Sequence, residues 1–243
     1  MSNPVRVAFV MEGPTDYVVL RAAVRALLAG RDFEPTNIWP ELDENLRPKT
    51  EGGWGGVYKW CRQVLDQAGG TARENPVFAL NDMVVIQVDA DMARMKYQDY
   101  GITDAPNDEL RRGTCEKKCP PPGATTDSVR TVILGWLGEA APPPHTVLCT
   151  PSKNLETWVL VGLFPKNEQV IKPNPECRWG LEVQLRKYGL MKGKKKLIDK
   201  YEDSEKQLQA AWPDIRGKCS EAERFSVDFL ALVPVQLMVR KLH

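Results

Sequence analysis

Four acidic residues follow two apolar runs of the sequence closely enough to act together on a cation. Glu12 comes directly after the first run, "VRVAFVM", and Asp16 lies four residues further on. Asp89 and Asp91 follow the second run, "MVVIQV". Like charges placed close together raise each other's pKa unless a cation lies between them. Carboxylate oxygens suit Mg²⁺ or Mn²⁺, which proteins usually hold with one or two carboxylates, water and substrate phosphates. The pattern therefore predicts a divalent-metal site.

The two apolar runs are the elements that must position these acids. Each run is typical of a strand in a parallel sheet whose two faces are both covered. In open α/β sheets ligands bind at the carboxyl ends of the strands, so the acids are expected to meet there. On an extended segment, side chains two residues apart point the same way, which would place Asp89 and Asp91 on one side. Gly13 would let a phosphate or a metal-bound water approach the backbone.

The remaining pattern alternates strands with helices. Thr15 is expected to cap a helix that ends at Gly30, and "EGGWGGVYKWCRQVLDQAGG" predicts a helix after a short strand at "TNIWPEL". "SVRTVILGWLGEA" and "NLETWVLVGLF" predict helices on either side of a strand at "HTVLCT". This alternation favours an α/β fold with a mainly parallel sheet flanked by helices.

Two segments depart from the alternation. Residues 94–126 hold few apolar positions and are expected to form a loop-rich insert, a kind of connection that is often functional. Residues 166–243 have a helical and more basic pattern without a clear strand. We therefore divide the chain into an α/β domain over residues 1–165 and a helical C-terminal extension over residues 166–243.

Each acidic motif also has an ordinary structural explanation when it is taken alone. Acids are common where strands enter loops, and the helix dipole accounts for an acid such as Asp16 or Glu156 in a first helical turn. The two motifs in this order, each after a buried strand, are much more specific than either motif by itself.

The segments "VMEGPTD" and "VVIQVDADM" resemble the two signature motifs of the Toprim domain, which topoisomerases of types IA and II, bacterial primases, recombination-mediator proteins and OLD-type nucleases share. The likeness covers residues 5–165 and is strongest to small Toprim-like bacterial families linked to phage defence, in which a later segment resembles "TPSKNLETWVL". It implies a Toprim-like Rossmannoid fold. It also implies that Glu12 is the general acid or base and that Asp89 and Asp91 are catalytic, metal-binding aspartates. Asp16 and Glu156 would complete the metal site.

The resemblance implies a nuclease that hydrolyses phosphodiester bonds of DNA or RNA with Mg²⁺ or Mn²⁺, in bacterial anti-phage defence. The ions would polarise the phosphate and activate water, and Glu12 would transfer a proton. Two alternatives stay open: a non-catalytic module that binds nucleic acid or a partner, and a phosphatase or phosphotransferase for small molecules. OLD-type nucleases also carry an ATPase, so a separate ATPase subunit is an expected partner, as is a second copy of this chain.

A basic stretch, "RKYGLMKGKKKLIDK", lies in the C-terminal part of the sequence. Its lysines could contact nucleic-acid phosphates, which would give salt-dependent affinity without sequence preference. The candidate phosphate-binding residues are Lys153, Lys187, Lys192, Lys194, Lys195 and Lys196. A solvated surface face is the alternative interpretation of the same stretch.

Two further stretches have weaker functional interpretations. Trp54, in the glycine-rich "EGGWGGVYKW", could stack on a base, although a helix entry with Trp60 in the core explains the same residues. "CEKKC" suggests a zinc site at Cys115 and Cys119, with His145 and Cys149 as a second pair. Residues four apart on a strand, such as the one predicted at "HTVLCT", lie ~13 Å apart, which is too far for both to bind one ion.

Composition limits the partners and the location. The net charge of +1 gives no overall attraction to nucleic acid or to an anionic membrane, so a polyanion site must be local. No stretch approaches the ~20 apolar residues of a membrane span, so no membrane is expected as a partner. The six cysteines show no short-spacing framework, which favours reduced thiols and a cytoplasmic location.

Overall fold

A computed structural model describes residues 3–168, 170 and 172–233. Residues 234–243 of the predicted C-terminal extension lie outside the described residues, as do residues 169 and 171.

Four parallel strands form the central sheet. They are β1 (Val5–Val10), β2 (Phe33–Trp39), β3 (Met83–Gln87) and β4 (Thr146–Cys149). Their order in the sheet is β2-β1-β3-β4, and Val7 of β1 lies opposite both Pro35 and Met83. Every residue of β3 and β4 is buried, as expected for strands that are covered on both faces.

Helices cover both faces of this sheet. Those of the described residues are α1 (Pro14–Leu28), α2 (Gly53–Gln67), α3 (Pro76–Leu80), α4 (Glu109–Arg112), α5 (Gly123–Trp136), α6 (Glu156–Leu163), α7 (Glu182–Lys187), α8 (Ile198–Lys218) and α9 (Ser220–Leu232). A small antiparallel hairpin of β5 (Met191–Lys192) and β6 (Lys195–Lys196) precedes α8.

Alternate side chains of the central strands enter two hydrophobic cores, one on each face of the sheet. Val7 and Phe9 belong to the core formed with α1, α6, α8 and α9, whereas Ala8 and Val10 belong to the core formed with α2 and α5. The period of two along a strand produces this division. The predicted α/β fold, with a parallel sheet flanked by helices and a helical C-terminal region, is confirmed at this level.

Two predicted helix starts are wrong. Gly13, rather than Thr15, is the N-cap of α1, because Pro14 occupies the first turn with a preset φ and no N–H to satisfy. Helix α5 begins at Gly123, ahead of the predicted start at Ser128. Its first turns are polar in sequence, yet Thr125 and Thr126 are buried there.

Much of the segment over residues 94–126 lacks regular secondary structure, as a loop-rich insert would. It contains α4 and a short 3₁₀ helix over Tyr97–Tyr100. Its scattered apolar side chains, among them Tyr97, Ile102 and Leu110, are buried in the core beside α2 and α5. Tyr97 accepts a hydrogen bond from Trp136 Nε1 at 2.7 Å, which ties the segment to α5.

The described part of the C-terminal region shares a core with α1 and α6. Helix α8 packs on both, and Glu205 accepts hydrogen bonds from Arg21 Nε and Nη2 at 2.8 and 2.6 Å. The sequence pattern shows no clear strand in this region, and the structure adds only the short β5–β6 hairpin. Each strand of that hairpin has only two residues, too few to produce an alternating pattern.

The expectation of reduced thiols is wrong for two of the cysteines. Cys119 and Cys177 form a disulfide with a Cα–Cα distance of 5.5 Å, and it links residues 58 positions apart. Cys61, Cys115, Cys149 and Cys219 are free and buried. Within the described ranges, none of the helices combines the length and apolar character that a membrane crossing requires.

Candidate active site

Five carboxylates gather at the carboxyl ends of the strands. They are Glu12 after β1, Asp16 in the first turn of α1, Asp89 and Asp91 after β3, and Glu156 at the start of α6. Glu12 Oε1 accepts a hydrogen bond from the Asp89 amide at 2.8 Å, and Asp89 Oδ1 accepts one from the Leu155 amide at 3.1 Å. The structure therefore brings together the predicted ligand residues, whose chemical roles stay predictions.

Gln87 orients two of these acids. It is fully buried at the end of β3, where its Oε1 accepts from the Glu12 amide at 3.1 Å and its Nε2 donates to Asp89 Oδ1 at 2.8 Å. A buried amide needs such partners, because leaving it unpaired costs ~1–3 kcal/mol. Gln87 is not among the site residues predicted from the sequence, although an amide inside the otherwise apolar run "MVVIQV" was a usable signal.

The backbone after β3 differs from the extended segment that the sequence suggested. A 3₁₀ turn begins at Ala90 and includes Asp91. The amides of Ala90 and Asp91 donate to the carbonyls of Pro151 and Lys153, each at 2.9 Å. Asp91 therefore reaches the cluster from a turn that the loop after β4 supports.

Burial and mutual repulsion raise the pKa values of these acids. Burial, followed by the charges of Asp91 and Asp16, holds the pKa of Glu12 well above its usual range. Burial, followed by the charge of Glu12, does the same to the pKa of Asp89. Burial also raises the pKa of Asp16 to about 6. The pKa of Asp91 rises to about 7 through burial and the nearby Glu156. The cluster therefore binds protons near neutral pH and attracts cations.

Lys196, at the end of β6, supplies a positive charge to this cluster. Its Nζ contacts Glu156 Oε1 and lies 4.0 Å from Asp16 Oδ1. Tyr201 also lies against Glu156, and Asp16 Oδ1 has no hydrogen-bond partner among the residues that the structure describes. Burial lowers the pKa of Lys196. The nearby carboxylates, of which Glu156 has the largest effect, raise it by more, so the pKa of Lys196 is well above its usual value. Lys196 therefore stays protonated as an internal counter-ion.

The predicted phosphate-binding lysines do not form one surface. Lys196 points into the acid cluster, and Lys153 is buried, with its Nζ 3.4 Å from Glu116 Oε1. The other four are exposed, and they are Lys187, Lys192, Lys194 and Lys195. Trp54, the candidate for base stacking, is buried in the core and packs against Tyr97, so that interpretation is wrong.

A cavity of about 740 Å³ gives access to part of the cluster. Glu12, Asp16 and Asp89 line it together with Lys196, and residues 44–48 form another part of its wall. The donor atoms are all carboxylate oxygens, and Asp16 Oδ1 lacks a hydrogen-bond partner, which suits a hard cation such as Mg²⁺. Within the described ranges, no three acidic, cysteine or histidine side chains are arranged as a ready metal cage. The residues therefore fit a Mg²⁺ that keeps several water ligands.

Comparisons with known proteins add no family to this description. No protein-family model, curated protein or solved structure matches the chain.

Proposed function

We propose that this chain is a divalent-metal-dependent nuclease that hydrolyses phosphodiester bonds of DNA or RNA. The observation that supports the proposal best is the gathering of five carboxylates from separate segments beside an open cavity. Such a concentration of buried acids is costly without cations, so a purely structural role does not account for all of them. The role in anti-phage defence and the ATPase partner stay predictions from the sequence resemblance.

Glu12, Asp16 and Asp89 would hold the metal, because these three line the cavity. A bound Mg²⁺ or Mn²⁺ would supply charge neutralisation at the phosphate and a lowered pKa for an attacking water. Asp91 and Glu156 would keep the surrounding potential negative.

Glu12 is the best candidate for proton transfer. Burial and the neighbouring carboxylates hold its pKa well above the usual range, so the protonated form is favoured, as a general acid requires. The Asp89 amide and Gln87 fix its position from two directions. Lys196 would hold its proton throughout and balance the charge of Glu156 and Asp16.

One observation favours a second candidate, a non-catalytic binding module. Lys196 already neutralises part of the acidic cluster and repels a divalent cation, which disfavours metal-dependent chemistry. Cleavage assays separate the two candidates.

The test compares Glu12→Gln with the wild-type protein on plasmid DNA and on structured RNA, with Mg²⁺, Mn²⁺ or EDTA. The glutamine keeps an oxygen for the Asp89 amide, so folding should be preserved. We expect metal-dependent cleavage by the wild type and a loss of ~10²–10⁴-fold in Glu12→Gln, the usual contribution of a general acid or base.

Glu34→Gln is the matched control, because Glu34 is exposed on the edge strand β2, away from the cluster. It should cleave like the wild type. Absence of cleavage with either metal, or equal rates for Glu12→Gln and the wild type, would remove the proposal.

A further inference from the structure

One aromatic side chain near the acid cluster is exposed although its type is usually buried. Trp179 is 43% exposed, whereas the other six tryptophans, all within the described residues, are buried or half-buried. It lies between the disulfide cysteine Cys177 and helix α7. Tryptophan is one of the residue types enriched among the residues that dominate binding energy, so an exposed ring held in place is a candidate contact.

Two cations hold the Trp179 ring. The Arg94 guanidinium carbon lies 4.1 Å from the ring centroid, and Lys153 Nζ lies 4.3 Å from it. Both cations contact the same carboxylate, because Glu116 Oε1 accepts from Arg94 Nε at 2.7 Å and from Lys153 Nζ at 3.4 Å. Two positive charges against one negative charge leave this group with a net charge of +1. The ring is therefore held against two positively charged side chains.

The backbone places this group next to the acid cluster. Arg94 belongs to the same 3₁₀ turn as Asp91, and the Asp91 amide donates to the Lys153 carbonyl at 2.9 Å. The cations under Trp179 thus extend from the two segments that hold Asp91 in place.

We propose that Trp179, together with Arg94, forms a binding subsite for an unpaired nucleobase beside the carboxylate cluster, an inference that rests on the proposed nuclease function. Every base has a π-face that can stack on an indole ring or on a guanidinium plane, so the subsite needs no particular sequence. The net positive charge suits the phosphate next to that base. Bases inside a duplex are already stacked on both faces, so the subsite selects single-stranded or unpaired segments.

Binding in EDTA tests this subsite apart from cleavage. Fluorescently labelled oligothymidylate and oligouridylate are titrated with wild-type protein, Trp179→Ala and Trp179→Phe, and a duplex of the same length serves as the comparison ligand. We expect Trp179→Ala to weaken single-strand binding by about 5- to 100-fold, the usual effect of removing one stacking partner. Trp179→Phe should keep most of the affinity, and duplex binding should change little.

Leu80→Ala is the control, because Leu80 is 63% exposed on α3 and its loss removes an apolar surface side chain elsewhere. It should bind like the wild type. Equal affinity of Trp179→Ala and wild type for both oligonucleotides would overturn the inference, as would equal losses in the alanine and phenylalanine variants. A wild-type protein that binds neither oligonucleotide would overturn it too.

The binding assay for the Trp179 subsite and the cleavage assay for the nuclease can fail independently of each other. Trp179-dependent binding without metal-dependent cleavage would remove the nuclease and leave the subsite. Metal-dependent cleavage together with binding that does not depend on Trp179 would remove the subsite and leave the nuclease.

Discussion

Lys196→Met is the substitution that tests the physical description of the acid cluster most directly. It removes the ammonium group that contacts Glu156 and lies 4.0 Å from Asp16, while it keeps most of the aliphatic stem. Removing one partner of a fully buried ion pair costs ~3–5 kcal/mol. Lys196 is 33% exposed and solvent screens part of the interaction, so we expect a loss of roughly 2–3 kcal/mol.

The assay is thermal unfolding at pH 8 in EDTA, above the pKa of about 6 that Asp16 has in the folded protein. For a chain of this size ~1 kcal/mol corresponds to ~2–4 °C in Tm, so Lys196→Met should unfold roughly 4–12 °C below the wild type. Lys195→Met is the matched control, because Lys195 is exposed in the same hairpin strand, and its Tm should stay near that of the wild type.

Magnesium titration gives the second half of the prediction. An ammonium group at the cluster repels a divalent cation, so its removal should tighten Mg²⁺ binding at least ~10-fold, which corresponds to ~1.4 kcal/mol. Mg²⁺ should therefore raise the Tm of Lys196→Met more than that of the wild type. Equal stability of Lys196→Met and Lys195→Met in EDTA, with equal responses to Mg²⁺, would refute the counter-ion role.

The remaining predictions concern pH and packing. The pKa values of Asp16 and Asp91, about 6 and about 7 in the folded protein, lie above their unfolded values, so the folded state binds more protons and stability without metal should fall from pH 5 to pH 8. Asp91→Asn should flatten this dependence in thermal unfolding with EDTA, and an unchanged slope would contradict the assignment. Gly162→Ala should destabilise by ~1–3 kcal/mol in denaturant unfolding, because its Cβ would lie 2.8 Å from Ile215 Cδ1. Gly217→Ala, with open space around its Cβ, should not be destabilised; equal losses in both variants would exclude this packing explanation.

The apolar pattern of the chain is enough to predict the sheet and the positions of the acids along it. The runs around Val7 and Val85 are apolar at nearly every position, as strands covered on both faces must be. Because parallel strands end at the same edge of a sheet, the order of residues alone predicts that Glu12 and Asp89 meet there.

Which lysine contacts those acids depends on tertiary packing. Lys195 and Lys196 are adjacent and identical in type, yet one is exposed and the other contacts Glu156. Both lie in β6, whose two residues are too few for a sequence pattern, so the direction of each side chain depends on how the β5–β6 hairpin packs in the folded chain.

The same reasoning applies to the tryptophans and the cysteines. Trp54 and Trp179 both lie in glycine-containing segments, but long-range packing buries the first and leaves the second on two cations. Cys119 and Cys177 are 58 positions apart, so only the folded chain brings them to a bonding distance. The apolar pattern of a segment indicates which side chains of that helix or strand are buried. Contacts between distant elements depend on how the helices pack over the sheet.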